Sequence, residues 1–343
     1  MRRQTRVGIV NDEFYINGRP TYAGITYRGA KIQGLLLNSR MVQGIFDDLN
    51  PETCELWKYP DTGVWDASRN TREFIEAMPV WRDYGLLSFV VGMQGGNPQG
   101  YRGDQPWRNS AFTATGELVP EYLERLQSIL DEADSLGMVV QLNVFYFGQD
   151  EYFVDESAIL RALENTCLWV LQKGYENVIL DVVNETDVPR YEHEILTPTR
   201  VHELIQRAKE VEYGGKRLLA GTSFKGGAIP TGPVVSVSDF ILIHGNGVED
   251  PRQITEMVNT VRRMPEYRSM PILFNEDDHF DFEKDENNMM SAINAYASWG
   301  FLECGDNNYR DGYQSPPVNW GVNTPLKKAF FEKVKEVTGG LMD

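Results

Sequence analysis

The sequence predicts an α/β protein of the (β/α)8 TIM-barrel class, with an N-terminal β-hairpin and long loops after strands 1, 2 and 8. Along its 343 residues, eight short apolar segments alternate with helical patterns, which is the order of elements in such a barrel. A doubly wound open sheet is the alternative, but it favours a glycine-rich fingerprint after an early strand, and the sequence has none. A barrel needs roughly 250 residues, and the residues beyond that number fall in a hairpin and in loops. Since the chain also has no linker-like segment, we expect one domain over residues 1–343.

The N-terminal segment RVGIVNDEFYINGRPTYAGITYRG contains short strand-like runs that are broken at Asn11-Asp12 and at Asn17-Gly18. Asn-Gly between strand-like segments favours the tight turn of a hairpin. We therefore predict a hairpin here, followed by the first barrel strand at Thr21–Tyr27. The other strands are predicted at Leu86–Met93, Met138–Phe147, Val178–Val183, Arg217–Thr222, Phe240–His244, Pro271–Asn275 and Gly300–Cys304.

Helices are predicted between these strands, where apolar residues recur at helical spacing. Pro120–Leu136 is an example, because a proline in its first turn and Gly137 directly after it mark the two ends. The segment after the fifth strand, GGAIPTGPVVSVS, is a poor helix. The further predicted helices are Thr199–Val211, Pro251–Met264, Glu286–Trp299 and Pro325–Val337.

The residues in excess of a minimal barrel fall mainly in three loops, Gly29–Asn70, Gly95–Val119 and Gly305–Thr324. They follow strands 1, 2 and 8, which are neighbours around a closed barrel. We therefore expect them to build one wall over the C-terminal face, where the active sites of such barrels lie.

The charge of the chain excludes two classes of partner. The sequence holds 33 basic and 50 acidic residues, a net charge of −17, so neither nucleic acid nor an anionic membrane surface is an expected partner. No apolar stretch is long enough to span a bilayer. Since the N-terminus shows no signal-peptide core, we expect a cytoplasmic protein, or a secreted one whose signal has been removed.

Two predicted strands end on a glutamate. The segment VILDVVNETDV is an apolar strand that runs directly into Asn184 and Glu185, and MPILFNEDDHF runs into Asn275 and Glu276. These are the fourth and seventh strands, which lie across the barrel mouth from each other, so both carboxylates can point into one pocket. Such a pair suits cleavage of a glycosidic bond, because one carboxyl group protonates the leaving oxygen while the other attacks or activates water.

On these residues the sequence resembles the retaining glycoside hydrolases of clan A and is family 5-like. The FYINGRP hairpin before the first strand is also similar to the entry of many such enzymes. The resemblance implies that Glu185 is the acid/base, that Glu276 is the nucleophile and that Asn184 holds the sugar 2-hydroxyl. It implies a β-linked oligo- or polysaccharide as substrate, cleaved by double displacement with no cofactor and no metal.

The sequence departs from the clan at two positions near the pair. His244, at the end of the sixth strand, matches a position that is often polar, but the tyrosine that commonly follows two residues later is here Asn246. Arginine is common near the end of the second strand and is absent from LLSFVVGMQGG, so Arg28 is the candidate substitute.

Aromatic residues crowd the long loops, and flat rings beside carboxamides suit the apolar face and polar edges of a sugar. The alternative is that these rings only pin the loops to the barrel. Trp320 is the preferred sugar platform. The candidate substrate-binding residues are Asn184, His244, Arg28, Tyr146, Gln94, Asn246, Trp107 and Trp320.

Other interpretations of these motifs remain open. Asn184, Glu185 and Thr186 also match an N-glycosylation sequon. The segment from Asn275 to His279 is rich in carboxylates and ends in a histidine, which suits a divalent metal. The alternatives to a glycosidase are a catalytically silent barrel that binds carbohydrate and a metal-dependent barrel hydrolase or lyase.

Overall fold

The structure, a computed structural model, describes residues 3–101, 104–303 and 311–340. The chain begins with an antiparallel meander of β1 (Val7–Val10), β2 (Glu13–Ile16) and β3 (Arg19–Pro20). Asn17 and Gly18 take left-handed φ values of 53° and 77° between β2 and β3, as the tight turn of an Asn-Gly hairpin requires. The predicted N-terminal hairpin is confirmed.

The meander closes the N-terminal end of the barrel. Phe14 is fully buried and packs edge-on against Phe240, with ring centroids 6.1 Å apart. Its cluster contains apolar residues from the starts of the barrel strands, among them Val139 and Ile179. The opposite, C-terminal end of the strands is therefore the one left for a functional site.

The predicted first strand at Thr21–Tyr27 is wrong. Tyr22 has a left-handed φ of 47°, which interrupts an extended strand. A short antiparallel ribbon of β4 (Thr26–Tyr27) and β5 (Ala30–Lys31) follows. The first barrel strand is instead β6 (Asn38–Arg40), whose side chains are polar yet buried.

Seven further strands complete the predicted set: β7 (Ser88–Gly92), β8 (Val139–Phe145), β9 (Val178–Val183), β10 (Leu219–Gly221), β11 (Ile241–His244), β12 (Ile272–Glu276) and β13 (Gly300–Phe301). One parallel sheet has the order β10-β9-β8-β7-β6-β13, and β11 pairs in parallel with β12. Two parallel bridges join β12 to the β13 segment, and the Asp239 amide donates to the Ala220 carbonyl (3.0 Å) between β11 and β10. The strands thus follow one another as in a (β/α)8 barrel, and the predicted fold class is confirmed. Cys304, the predicted end of the eighth strand, and the loop residues 305–310 lie outside the described residues.

The helices are α1 (Ala67–Asp83), α2 (Pro120–Leu136), α3 (Glu156–Gln172), α4 (Val201–Glu210), α5 (Gly232–Val237), α6 (Pro251–Arg263), α7 (Asn288–Asn294) and α8 (Pro325–Thr338). The predicted limits of α2 are confirmed, with Gly137 in the left-handed conformation that ends the helix. α7 is shorter than predicted because Asn287 caps its first turn and Tyr296 has a left-handed φ of 58°. Within the described ranges, no helix has both the length and the apolar character to cross a bilayer.

Trp107 belongs to an aromatic cluster that ties two long loops together. Its ring is fully buried and meets Trp57 edge-on at a centroid distance of 6.1 Å. Phe46 and Trp65 complete the cluster. The prediction that Trp107 contacts substrate is wrong, because its ring is enclosed by protein and instead pins the loop after β7 to the loop after β6.

Trp320 is also part of the core. It is 2% exposed, stacks on Tyr313 with centroids 5.7 Å apart, and meets Phe74 of α1 edge-on at 4.8 Å. Its indole Nε1 donates to Asn70 Oδ1 at 3.1 Å. The predicted sugar platform is therefore wrong, because neither face of this ring is open. Trp320 anchors the chain before α8 to α1.

We predict that Trp320→Ala lowers the free energy of unfolding by about 3–5 kcal/mol, the range for removing a large buried aromatic side chain. Urea unfolding followed by circular dichroism measures the change. As a control, Val80→Ala on the exposed side of α1 should change stability by less than about 0.5 kcal/mol. A Trp320→Ala protein of unchanged stability would contradict the packing role.

Candidate active site

The two glutamates predicted from the sequence meet at the C-terminal end of the barrel. Glu185 follows β9 and Glu276 ends β12. His244, at the end of β11, lies between them, with Nδ1 3.0 Å from Glu185 Oε1 and 2.6 Å from Glu276 Oε1. Each of the three residues offers one potential ligand atom within 4.8 Å of those of the other two. The fold therefore brings residues separated by up to 91 positions into one cluster.

Two backbone irregularities aim these side chains. Glu185 has a left-handed φ of 47°, and its amide donates to Ser223 Oγ at 3.0 Å. Between Ile243 and His244 the register of β11 against β12 shifts, so that His244 pairs with Glu276. Such bulges redirect side chains at the rims of barrels, and this one places the imidazole beside the carboxylate of Glu276.

Glu276 is buried and held by a second cation that the sequence analysis missed. Arg40, at the end of β6, forms an ion pair through Nε with Glu276 Oε2, and both side chains are almost fully buried. Arg40 also donates to the Tyr146 hydroxyl and to Gln314 Oε1. Arg40 reaches this position because the first barrel strand is β6 and not the predicted Thr21–Tyr27. The apolar run from Leu35 to Leu37, directly before β6, was the signal in the sequence for this strand.

The charges of this cluster depend on one another. Burial alone raises the pKa of Glu276, but Arg40 and His244 outweigh it, so the pKa of Glu276 lies below its ordinary value. Burial alone lowers the pKa of His244, but Glu276 and Glu185 outweigh it and raise this pKa to about 10. Near neutral pH, Glu276 is therefore an anion held between a guanidinium and an imidazolium.

A small cavity of about 30 Å³ opens onto these groups. Its lining residues are Arg40, Asn97, Gly100, Tyr101, Tyr146, Phe147, Glu185, Asn246, Glu276, Leu302 and Gln314. Tyr101, from the loop after β7, donates its hydroxyl hydrogen to Asp278 beyond β12 and so reaches across the mouth. Since ligand pockets usually measure about 300–1,000 Å³, a sugar ring requires side chains at this mouth to move.

A larger cavity of about 400 Å³ lies beside the N-terminal meander, at the other end of the barrel. Its lining holds no carboxylate and no histidine among the described residues. Chemistry rather than size therefore identifies the site at the C-terminal end.

The structure places four predicted binding residues at or beside this cavity. Tyr146 and Asn246 line it, and the Asn246 side chain hydrogen-bonds Glu276. Asn184 is buried next to Glu185, and in the described structure its Nδ2 has no hydrogen-bond partner. His244 lies beneath both glutamates. Asn184 is not among the residues that line the cavity.

Two other predicted binding residues lie elsewhere. Gln94 is buried and donates to Ser110 Oγ (3.2 Å) while accepting from the Tyr146 amide (3.3 Å), so it supports Tyr146 and does not line the cavity. Arg28 is exposed beside α8 and forms an ion pair with Asp285. The prediction for Arg28 is wrong because the strand expected before it is not the first barrel strand.

Among the described residues, two groups of side chains have the composition of a metal site: Glu185 with His244 and Glu276, and Asp277 with Asp278 and His279. In the second group, Asp277 accepts from Trp299 Nε1 (2.8 Å), from Asn288 Nδ2 (3.2 Å) and from the His279 amide (2.9 Å). Protein donors therefore occupy this carboxylate. The first group is the better donor set for a metal, but Arg40 already neutralises Glu276.

Comparisons with known proteins bear on the fold. No protein-family model matches the chain, and no curated protein matches its sequence. A family 5 mannosidase of Rhizomucor miehei is similar with a TM-score of 0.57 and 13% identity, over 97% of this chain and 98% of its own. A variant of a family 5 lichenase of Caldicellulosiruptor sp. F32, in complex with cellotetraose, is similar with a TM-score of 0.53 and 12% identity, over 100% of this chain and 98% of its own.

A longer protein of Bacteroides vulgatus is similar with a TM-score of 0.56 and 12% identity, over 96% of this chain, which spans 60% of that protein's length. These likenesses show that the chain has the barrel fold of family 5 glycoside hydrolases. The resemblance predicted from the sequence is confirmed at the level of the fold.

We predict that Arg40→Gln raises the pKa of Glu276, because the adjacent guanidinium is the largest of the contributions that lower this pKa. Titration of the Glu276 side-chain carbon by ¹³C NMR measures the midpoint, with Glu276→Gln to assign the resonance. Tyr146→Phe, which removes a partner of Arg40 but keeps the guanidinium, is the matched control. An unmoved midpoint in Arg40→Gln would show that Arg40 does not set the charge of Glu276.

Proposed function

We propose that the protein is a retaining glycoside hydrolase, with Glu276 as nucleophile and Glu185 as acid/base. The observation that supports the proposal is that the two carboxylates meet at one imidazole: His244 Nδ1 lies 3.0 Å from Glu185 Oε1 and 2.6 Å from Glu276 Oε1, and one oxygen of each carboxylate lies within 4.8 Å of the other. Retaining enzymes hold their carboxyl groups about 5–5.5 Å apart, whereas inverting enzymes need about 6.5–9.5 Å to admit a water molecule. The short separation supports direct attack by a carboxylate.

In the first step, Glu276 attacks the anomeric carbon while the bond to the leaving oxygen breaks and Glu185 gives that oxygen its proton. In the second step, Glu185 takes a proton from water, and the water oxygen displaces Glu276. Two inversions at the same carbon leave its configuration unchanged.

The surroundings of Glu276 suit a nucleophile. Arg40 and His244 lower its pKa, so it is ionised and ready to attack, and the same low pKa makes it a good leaving group in the second step. Arg40 and Asn246 also fix the orientation of its carboxylate. We expect the Nδ2 of Asn184, which has no hydrogen-bond partner in the described structure, to donate to a sugar hydroxyl when the mouth opens.

The substrate class that we propose is a neutral, β-linked saccharide. Arg40 is the one cationic side chain among the described residues that line the cavity, and it is paired with Glu276. An acidic sugar would therefore find no free counter-charge there. A mannosidase and a lichenase in complex with cellotetraose share the fold, which supports neutral hexose units.

A metal-dependent hydrolase or lyase is the second candidate function, since Glu185, His244 and Glu276 form a set of potential ligands. Metal binding would require His244 to lose its proton and Arg40 to leave Glu276. We predict that the protein keeps full activity on an aryl β-glycoside after exhaustive dialysis against EDTA, with no stoichiometric metal by mass spectrometry. Activity that falls on dialysis and returns with a divalent ion would support the metal enzyme instead.

Replacement of each glutamate distinguishes the two roles. In Glu276→Ala no nucleophile remains, so turnover should collapse for every substrate. In Glu185→Ala the nucleophile survives, so a dinitrophenyl glycoside should still give a burst, while a substrate with a poor leaving group should lose about 10²–10⁴-fold, the usual contribution of a general acid. Azide should restore turnover of Glu185→Ala and give a product of retained configuration.

The matched control for this experiment is Glu256→Ala, which removes an exposed glutamate of α6 that pairs with Arg263. It should retain the wild-type rate on every substrate. Wild-type rates for both Glu185→Ala and Glu276→Ala, on a substrate that the parent cleaves, would rule out this pair and place catalysis elsewhere on the barrel face.

A further inference from the structure

A second carboxylate is buried below the pocket, in the middle of β9. Asp181 is 1% exposed and stands four positions before Glu185. Its Oδ1 accepts from the Ser223 amide (3.0 Å), and its Oδ2 accepts from Ser223 Oγ (2.9 Å) and from Asn143 Nδ2 (3.3 Å). Burying a carboxylate is costly, and the double displacement described above does not use it.

Ser223, two residues after β10, connects Asp181 to Glu185. Its Oγ accepts from the Glu185 amide at 3.0 Å, and its carbonyl accepts from the Thr186 amide at 3.0 Å. A hydroxyl group has one hydrogen to donate and lone pairs to accept with. Because Asp181 takes the hydrogen, the lone pairs of Ser223 Oγ are directed at the Glu185 amide.

The backbone that Ser223 holds is strained. Glu185 has a left-handed φ of 47°, and such conformations are unfavourable for residues with a side chain and persist only where the surroundings enforce them. The strained turn points the Glu185 carboxyl group at His244, 3.0 Å away. If the amide lost its acceptor, the turn would relax and the carboxyl group would move.

We propose that Asp181 and Ser223 are positioning residues, which hold Glu185 in its left-handed turn so that the general acid meets the leaving oxygen. The catalytic part of this proposal rests on the proposed glycosidase function. The anchoring part does not, because it concerns the backbone of Glu185 in the protein without substrate.

The hydrogen bond from the Glu185 amide to Ser223 Oγ, which we call the anchor, does not depend on the charge of Asp181. Burial raises the pKa of Asp181 to about 7. When Asp181 is protonated, it can donate to Ser223 Oγ, whose hydrogen then turns toward the Val183 carbonyl, 3.5 Å away. A lone pair still faces the Glu185 amide. Asp181→Asn can likewise donate to Ser223 Oγ, and it should therefore behave nearly as the wild type, whereas Asp181→Ala should not.

Ser223→Ala removes the acceptor, and Thr222→Val is the matched control. Thr222 is the neighbouring buried residue, and its Oγ1 donates to the Val183 carbonyl (2.8 Å) and accepts from the Val183 amide (3.2 Å). Both substitutions delete one buried hydroxyl between β9 and β10, but only Ser223→Ala touches Glu185. Ser223→Cys, which keeps the volume but accepts only weakly, replaces Ser223→Ala if that variant does not fold.

The first measurement needs no substrate. Hydrogen exchange of the Glu185 amide, followed by NMR, should accelerate about 10-fold or more in Ser223→Ala, the loss of one hydrogen bond of roughly 1.4 kcal/mol. Exchange of this amide should be unchanged in Thr222→Val. Equal protection of the Glu185 amide in wild type and Ser223→Ala would overturn the anchor, whether or not the protein is a glycosidase.

The second measurement compares kcat/KM for a phenyl glycoside, which needs the acid, with that for a dinitrophenyl glycoside, which does not. Ser223→Ala should lose roughly 10-fold on the phenyl glycoside, part of the 10²–10⁴-fold that a general acid contributes, and less than about 3-fold on the other. The ratio of kcat/KM for the phenyl glycoside to kcat/KM for the dinitrophenyl glycoside should fall in Asp181→Ala and stay close to the wild-type ratio in Asp181→Asn. Equal losses on both glycosides in Ser223→Ala, or the same change of ratio in Thr222→Val, would contradict the proposal that Ser223 positions Glu185. A wild-type protein that cleaves neither glycoside would instead contradict the proposed glycosidase function.

Discussion

The buried charge of Glu276 is the interaction on which the rest of the site depends. Removing a carboxylate from water costs several kcal/mol unless opposite charges and hydrogen bonds replace the lost hydration. Here Arg40 and His244 take one oxygen each. Because these cations come from β6 and β11 and the anion from β12, the ends of three strands must stay in register for the charges to remain paired.

This requirement explains much of the surrounding structure. Arg40 also donates to Tyr146 and Gln314, which come from the loop after β8 and from the segment before α8. The long loops are fixed in turn by buried tryptophans, with Trp107 in one cluster and Trp320 in the other. The aromatic residues therefore act on the site indirectly, by holding the loops whose polar side chains line the cavity.

The sequence indicated that Glu185 and Glu276 meet in one pocket because both follow strands with long apolar runs, which are easy to recognise. It misplaced the first strand because Asn38, Ser39 and Arg40 are polar although they are buried, so a search for apolar runs passes over them. The same error hid Arg40 and made Arg28 its substitute. The burial of Trp320 could not be predicted either, because it is created by contacts with α1, about 250 positions away in the sequence.

Covalent trapping tests whether Glu276 is the nucleophile. The probes are dinitrophenyl 2-deoxy-2-fluoro-β-glycosides of gluco, manno and xylo configuration. Their good leaving group allows the glycosyl-enzyme to form, while the fluorine slows its hydrolysis. Incubation, proteolysis and mass spectrometry then locate the adduct. We expect one fluorosugar per chain on the peptide that contains Glu276, and no adduct in Glu276→Ala. An adduct on any other residue, or steady hydrolysis of the parent glycoside without an adduct from its fluorosugar, would contradict it.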